Sequence, residues 1–186
     1  MRTKKTVSSA FVLFVLSIIL TSCDPQNPNN PNEQEVITSL KISAISTTDT
    51  VTFAYSDPDG NGGNGPTIDT AILAPSTIYT IGLELIDETK TPNDTITNAI
   101  LSEGIDHQFF FTIAGANLTS IYADMDLNGK PIGLINTWTT TGTSIGTVVV
   151  ILRHQPDKNG VGVSSGVITN AGGETDIEIT FPIRIE

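Results

Sequence analysis

From residue 35 to the C-terminus, apolar residues recur at every second position in short runs, and Gly, Pro, Asn and Asp clusters separate the runs. Period two with such punctuation is the pattern of half-buried strands. Val36, Thr38, Leu40, Ile42 and Ala44 share one face of a first strand, and Val51, Phe53 and Tyr55 one face of a second. A third is expected over 67–73, and Tyr79, Ile81, Leu83 and Leu85 mark a fourth. His107 to Ile113 forms an aromatic strand, and 118–123 and 132–139 flank a turn. Gly146 to Arg153 is apolar on both faces, as a strand covered on both sides would be. In the last strand Ile177, Ile179, Phe181, Ile183 and Ile185 point inward, and Asp176, Glu178, Thr180, Arg184 and Glu186 outward. Pro182, on the outward phase, suggests an edge position. One short helix fits, near 95–104, with Asp94 as its cap and Ile96, Ile100 and Leu101 facing in. Eight or nine strands with turns every 8–12 residues predict an all-β, two-sheet immunoglobulin-like β-sandwich with one short helix. The Cys…Trp…Cys signature of true immunoglobulin domains is absent.

The first 34 residues follow another pattern. Arg2, Lys4 and Lys5 precede an apolar run from Ala10 to Leu20, and Leu20-Thr21-Ser22-Cys23 follows. A basic start, a short apolar stretch and small residues before a cut describe a secretory signal. Eleven residues span about 16 Å as a helix, against roughly 30 Å of hydrocarbon, so a transmembrane anchor is the weaker reading. Leu20-Thr21-Ser22-Cys23 resembles the bacterial lipobox, which implies cleavage before Cys23 and a thioether-linked lipid on its thiol. Each buried methylene contributes about 0.8 kcal/mol, so two or three acyl chains anchor stably in a bilayer. Residues 24–34 carry Pro at every third position and no hydrophobe, which predicts an extended, solvated tether. The expected organisation is a signal peptide (1–22), a lipidated Cys23 with its tether (23–34) and a sandwich domain (35–186).

Composition sharpens this picture. Of 186 residues, 27 are Thr, 24 Ile and 11 Val, so one third are β-branched and favour strands. One Cys excludes an internal disulfide framework and a Cys-rich zinc site. The net charge of -11, from 9 Lys+Arg and 20 Asp+Glu, argues against a nucleic-acid partner. Loss of Arg2, Lys4 and Lys5 with the signal would leave 6 basic residues and a net of -14.

Several segments in order carry a family resemblance: Asp57-Pro58-Asp59-Gly60-Asn61-Gly62-Gly63, Leu83-Glu84-Leu85-Ile86-Asp87-Glu88-Thr89, and His107-Gln108-Phe109-Phe110. Asn128-Gly129-Lys130-Pro131-Ile132-Gly133-Leu134, Arg153-His154-Gln155-Pro156-Asp157-Lys158 and Gly173-Glu174-Thr175-Asp176-Ile177 complete it. This series resembles a family of small Gram-negative bacterial lipoproteins, often labelled "type 1 periplasmic binding fold superfamily protein". That label implies alternating βαβ units in two lobes, whereas the periodicity here implies a sandwich. The resemblance implies a lipid-anchored envelope protein and brings no activity with it.

Candidate chemistry is sparse. Asp57-x-Asp59-x-Asn61-Gly62 and Asp124-x-Asp126-x-Asn128-Gly129 each match the first half of a calcium loop. Position twelve is Ile68 in one and Ile135 in the other, so neither has the closing acid, and Asn128-Gly129 is also a strong hairpin turn. Calcium at Asp57, Asp59 and Asn61 is the first expectation, and at Asp124, Asp126 and Asn128 a weaker one. His107 and His154 lie at strand ends; if those strands pair, the rings could meet and bind a transition metal, or serve as hydrogen-bonded structural histidines. Asp106 and Asp157 are their nearest acids in sequence. Gly162-Val163-Ser164-Ser165-Gly166 matches a nucleophile elbow, but no His follows Ser164, so a flexible loop is expected. Trp138, with Tyr55, Tyr79 and Tyr122, is a candidate platform for a sugar ring, against a core role. Asp49-Thr50, Asp69-Thr70 and Asp94-Thr95, each before an apolar residue, resemble the O-glycosylation acceptor of some Gram-negative exported proteins. No set of catalytic residues emerges. The expectation is a non-enzymatic binding or interaction protein of the cell envelope, lipid-anchored in the outer membrane through Cys23. Its partner would be a protein or a glycan. The alternative is a glycan- or small-ligand-binding accessory of an outer-membrane uptake system, with calcium as candidate cofactor.

Overall fold

A computed structural model describes residues 35–186 apart from Asn61. The expected signal peptide, Cys23 and the tether lie outside the described residues. The elements run β1 (Ser39–Ile45), β2 (Thr50–Ser56), β3 (Thr67–Ile68), β4 (Ala71–Leu73), β5 (Ile78–Ile86), α1 (Ile96–Ser102), β6 (His107–Ala114), β7 (Leu118–Tyr122), β8 (Ile135–Thr140), β9 (Ser144–His154) and β10 (Glu174–Ile185). They form two sheets, ordered β3-β2-β1-β5-β8-β7 and β4-β10-β9-β6. Within them β1-β5-β8-β7 reproduces the A-B-E-D order of an immunoglobulin-like sandwich, and β10-β9-β6 the G-F-C order. The hairpin β2–β3 is an addition beside β1.

The run 67–73, expected as one strand, is two. Ile68 pairs with Tyr55 in the first sheet, and Ala71–Leu73 pairs in parallel with Ile183–Ile185 in the second. The chain crosses between sheets at Asp69, whose carboxylate and N–H both bond the backbone of Ala54. Pro182 lies inside a sheet but at a suitable place, because β4 flanks β10 only from Ile183 onward. The helix also departs from expectation. Asp94 exchanges backbone bonds with Asp87 and does not cap it; Thr95 precedes the first turn without a side-chain cap. Ile96 and Ile100 are buried, whereas Leu101 is exposed.

The core lies between the sheets. Leu40, Ile42, Phe53, Tyr79, Ile81, Leu85 and Trp138 from one meet Phe109, Val148, Val150, Leu152 and Phe181 from the other. The two-faced apolarity of β9 has a physical cause. On its outer side the β9–β10 connection folds back, and Val163 and Ala171 cover Phe110 and Ile151. That connection contains two short 3-10 turns, Val163–Ser165 and Ile168–Asn170. As the topology requires, the β5–β6, β7–β8 and β9–β10 connections gather at one end of the sandwich, where β1 also begins.

Candidate functional site

Lys158 ties the three connections together. Its buried ammonium donates to the Gly104 carbonyl of the β5–β6 connection, and also to Asp126 Oδ2 and the Pro131 carbonyl of the β7–β8 connection, the latter two at 2.9 Å. All three donors of the ammonium are thereby used. Asp126 Oδ1 accepts the N–H groups of Asn128 and Lys130. Burial pulls the lysine down from its ordinary value, opposed by Asp126. Burial pushes Asp126 up, but the Lys130 N–H and the Lys158 ammonium outweigh it and hold the carboxyl below the usual range. Gln108, fully buried, adds a tie by donating to the Val163 carbonyl at 2.8 Å.

Beside this network lies a second buried polar group. His107 and His154 are direct cross-strand partners of β6 and β9, and their rings stack 4.9 Å apart at 13°. The third member comes from β10. A β-bulge between Thr175 and Ile177 inserts Asp176 as an extra residue. Bulges re-aim side chains, and Asp176 turns inward to a side-chain exposure of 0% instead of outward with Glu178. Gly173 permits the approach, with φ +68 and a position where any Cβ would strike the His154 carbonyl oxygen. Asp176 Oδ2 lies 3.8 Å from His107 Nε2. One donor atom from each of His107, His154 and Asp176 lies within 4.8 Å of the others, and the same holds for Glu35, Glu103 and His107. Burial lowers the His107 ring below its ordinary value and pushes the Asp176 carboxyl up to about 6, despite His154. Burial, with Glu103 and Asp176 nearby, also raises Glu35.

A cleft of about 480 Å³ opens where the edge strands β6 and β7 face each other under the β9–β10 connection. Phe111, Ile121, Tyr122, Met125, Pro131 and Ser165 are among its lining. Ile121 and Met125 are about 70% exposed. Tyr122 donates its hydroxyl to the Phe109 carbonyl at 2.6 Å, and burial pushes it up to about 12. The Gly162–Gly166 segment, expected as a loop, holds the 3-10 turn Val163–Ser165 between its two glycines. Val163 is fully buried, and the Ser164 hydroxyl donates to the Lys158 carbonyl at 2.7 Å.

The other predicted site residues fall as follows. Trp138 is fully buried between Phe53 and Phe111, so it is a core residue with no free face for a sugar. Tyr79 is also core, its hydroxyl accepting the Ala74 N–H. Asp124 accepts the N–H groups of Gly133 and Ile135, so Asp124 and Asp126 both bind their own hairpin, and Asn128 is exposed at its tip. Asp57 and Asp59 lie in the β2–β3 loop, at the rim of a groove of about 570 Å³ that Glu35, Asp176 and Glu178 also line. Asp59 accepts the Asn64 N–H, while Asp57 Oδ1 is buried without a partner among the described residues. Their expected co-ligand Asn61 lies outside the described residues. Asp106 gives its carbonyl to the Gln155 N–H, and Asp157 caps its own turn through the Asn159 N–H. Thr50, Thr70 and Thr95 are all exposed.

Sequence reading missed Lys158, whose burial depends on three separate connections converging, and Asp176, which strict alternation places outside. Among the described residues no helix is long and apolar enough to cross a membrane. Compared with known proteins, the chain matches no family model, no curated protein and no solved structure.

Proposed function

We propose that this chain is a lipid-anchored protein of the bacterial cell envelope, held at the outer membrane, whose sandwich binds a partner and carries out no reaction. The anchor is Cys23, and the reading makes the chain one of the small Gram-negative lipoproteins it resembles. The observation that carries the binding role is the cleft between β6 and β7. There Ile121 and Met125 stand exposed on a framework pinned by Lys158, Gln108 and Tyr122. Large apolar side chains on a rigid, concave surface are a common basis of recognition. The partner is a protein or a glycan and not a nucleic acid, given 20 acidic against 9 basic residues. Photo-crosslinkers placed in cells at 121 and 125 should trap a partner that the same probe at exposed Ile45 does not. Equal trapping at all three positions contradicts the reading. Labelled palmitate should enter the wild-type chain and not Cys23→Ala.

A second reading is a glycan- or small-ligand-binding accessory of an uptake system. It is supported by Phe111 and Tyr122 in the cleft, not by Trp138. In that reading calcium would brace the β2–β3 loop through Asp57 and Asp59, where the unpartnered Asp57 Oδ1 supports it. A glycan array with wild type and Tyr122→Ser separates the two: signal lost in the variant favours the ligand reading.

A further inference from the structure

The second polar group at the loop end has an unusual hydrogen-bond inventory. His107 Nδ1 lies 3.2 Å from the Glu103 carbonyl oxygen. A carbonyl oxygen only accepts, so Nδ1 carries the proton and the neutral ring presents a lone pair at Nε2. That lone pair faces Asp176 Oδ2 at 3.8 Å. Among the described residues no donor completes a hydrogen bond to Nε2 or to either Asp176 oxygen, and the Glu35 N–H is the one backbone donor that comes near the carboxylate. His107 is 1% exposed and the Asp176 side chain 0%, so bulk water does not serve them. Gln108 and Asn136 also leave one buried atom each without a partner, but their other ends are held by hydrogen bonds. Here three such atoms come together, and acceptors converging at a buried site call for a cation.

We propose that His107, His154 and Asp176 bind a divalent transition metal ion, with zinc the best match to two imidazoles and one carboxylate. Imidazole nitrogen favours zinc, copper, iron or nickel over calcium, which takes oxygen ligands. A His ligand commonly donates its second N–H to a backbone carbonyl, which fixes tautomer and ring orientation; the His107–Glu103 bond is that arrangement. Zinc bonds of about 2.0–2.2 Å place tetrahedral ligand atoms about 3.3 Å apart. The atoms here lie within 4.8 Å, so modest rotation of Asp176 and His154 brings them to bonding range. The half-buried Glu35, close to His107, or a water supplies a fourth ligand. The site differs from the calcium candidate at Asp57 in ligands and in cation.

The test is a Co²⁺ titration of the full chain in detergent, stripped with EDTA. For chain expressed without its lipid, a Cys23→Ala background removes the one thiol that would itself bind cobalt. Wild type should develop the visible absorption of a four-coordinate site, saturating at a single equivalent and abolished by Zn²⁺. His107→Ala and Asp176→Asn should each weaken binding by at least about 10–100-fold. Asp176→Asn conserves shape, so an unchanged circular dichroism spectrum separates lost ligation from lost fold. Absence of cobalt absorption and of zinc-binding heat in folded wild type overturns the proposal. Equal binding by wild type and both variants also overturns it.

Discussion

Two buried polar groups sit side by side at the loop end of the sandwich, and they are built in opposite ways. At Lys158 every donor meets an acceptor, and the partners come from three connections. At His107 and Asp176 acceptors face acceptors. The first group is complete without anything else and holds the loops in place. The second is complete only when a cation or a proton joins it. Burial alone therefore does not mark a functional residue; the balance of donors and acceptors does.

The largest effect is expected for Lys158→Ala, which leaves Asp126 buried without its counter-charge. A loss of about 3–5 kcal/mol should appear in urea denaturation. A loss below about 1 kcal/mol would mean that the network carries little of the loop end.

The same substitution at the two carboxylates should then act with opposite sign. Asp126→Asn turns an amide toward the Lys158 ammonium and should cost about 1.5–3 kcal/mol. Asp176→Asn in EDTA-treated protein at pH 8 puts a donor opposite His107 Nε2 and removes an unpaired charge. It should stabilise by about 1–3 kcal/mol. Equal signs at both sites would break the comparison.

Acid stability sharpens it further. Asp126 is held below its ordinary value, so its contribution is complete above about pH 4 and is lost as pH falls through its folded value. Asp126→Asn should flatten that part of the stability profile; an unchanged profile would place the acid sensitivity elsewhere. The smallest effect is expected in the cleft. Ile121→Ser and Met125→Ser should change stability by no more than about 0.5 kcal/mol, because both side chains are exposed. A larger change would mean that they pack rather than await a partner.

Much of the scaffold was legible because period two holds wherever one strand face is dry. Leu40, Ile42, Leu83, Phe181 and Ile183 all lie where alternation puts them. The two-faced strand β9 was legible for the same reason, since Val163 and Ala171 cover its second face. The failures share a different cause. The crossing at Asp69 splits one apolar run between two sheets, and only tertiary pairing decides where. The bulge at Asp176 inverts a side chain that strict alternation puts in solvent. By contrast, Trp138 takes the core role that its sequence favoured over a sugar platform, and Thr140 and Asn136 are buried with it. The His pair was foreseeable from two strand ends, but its carboxylate was not, because Asp176 is distant in sequence and strict alternation puts it in solvent.

The most direct measurement is anomalous diffraction at the zinc edge from crystals grown with one equivalent of Zn²⁺. The account predicts one strong peak about 2.0–2.2 Å from His107 Nε2 and an Asp176 oxygen, with His154 turned toward it. Zinc bound only elsewhere, or His107 and Asp176 still facing each other without a peak, would contradict it.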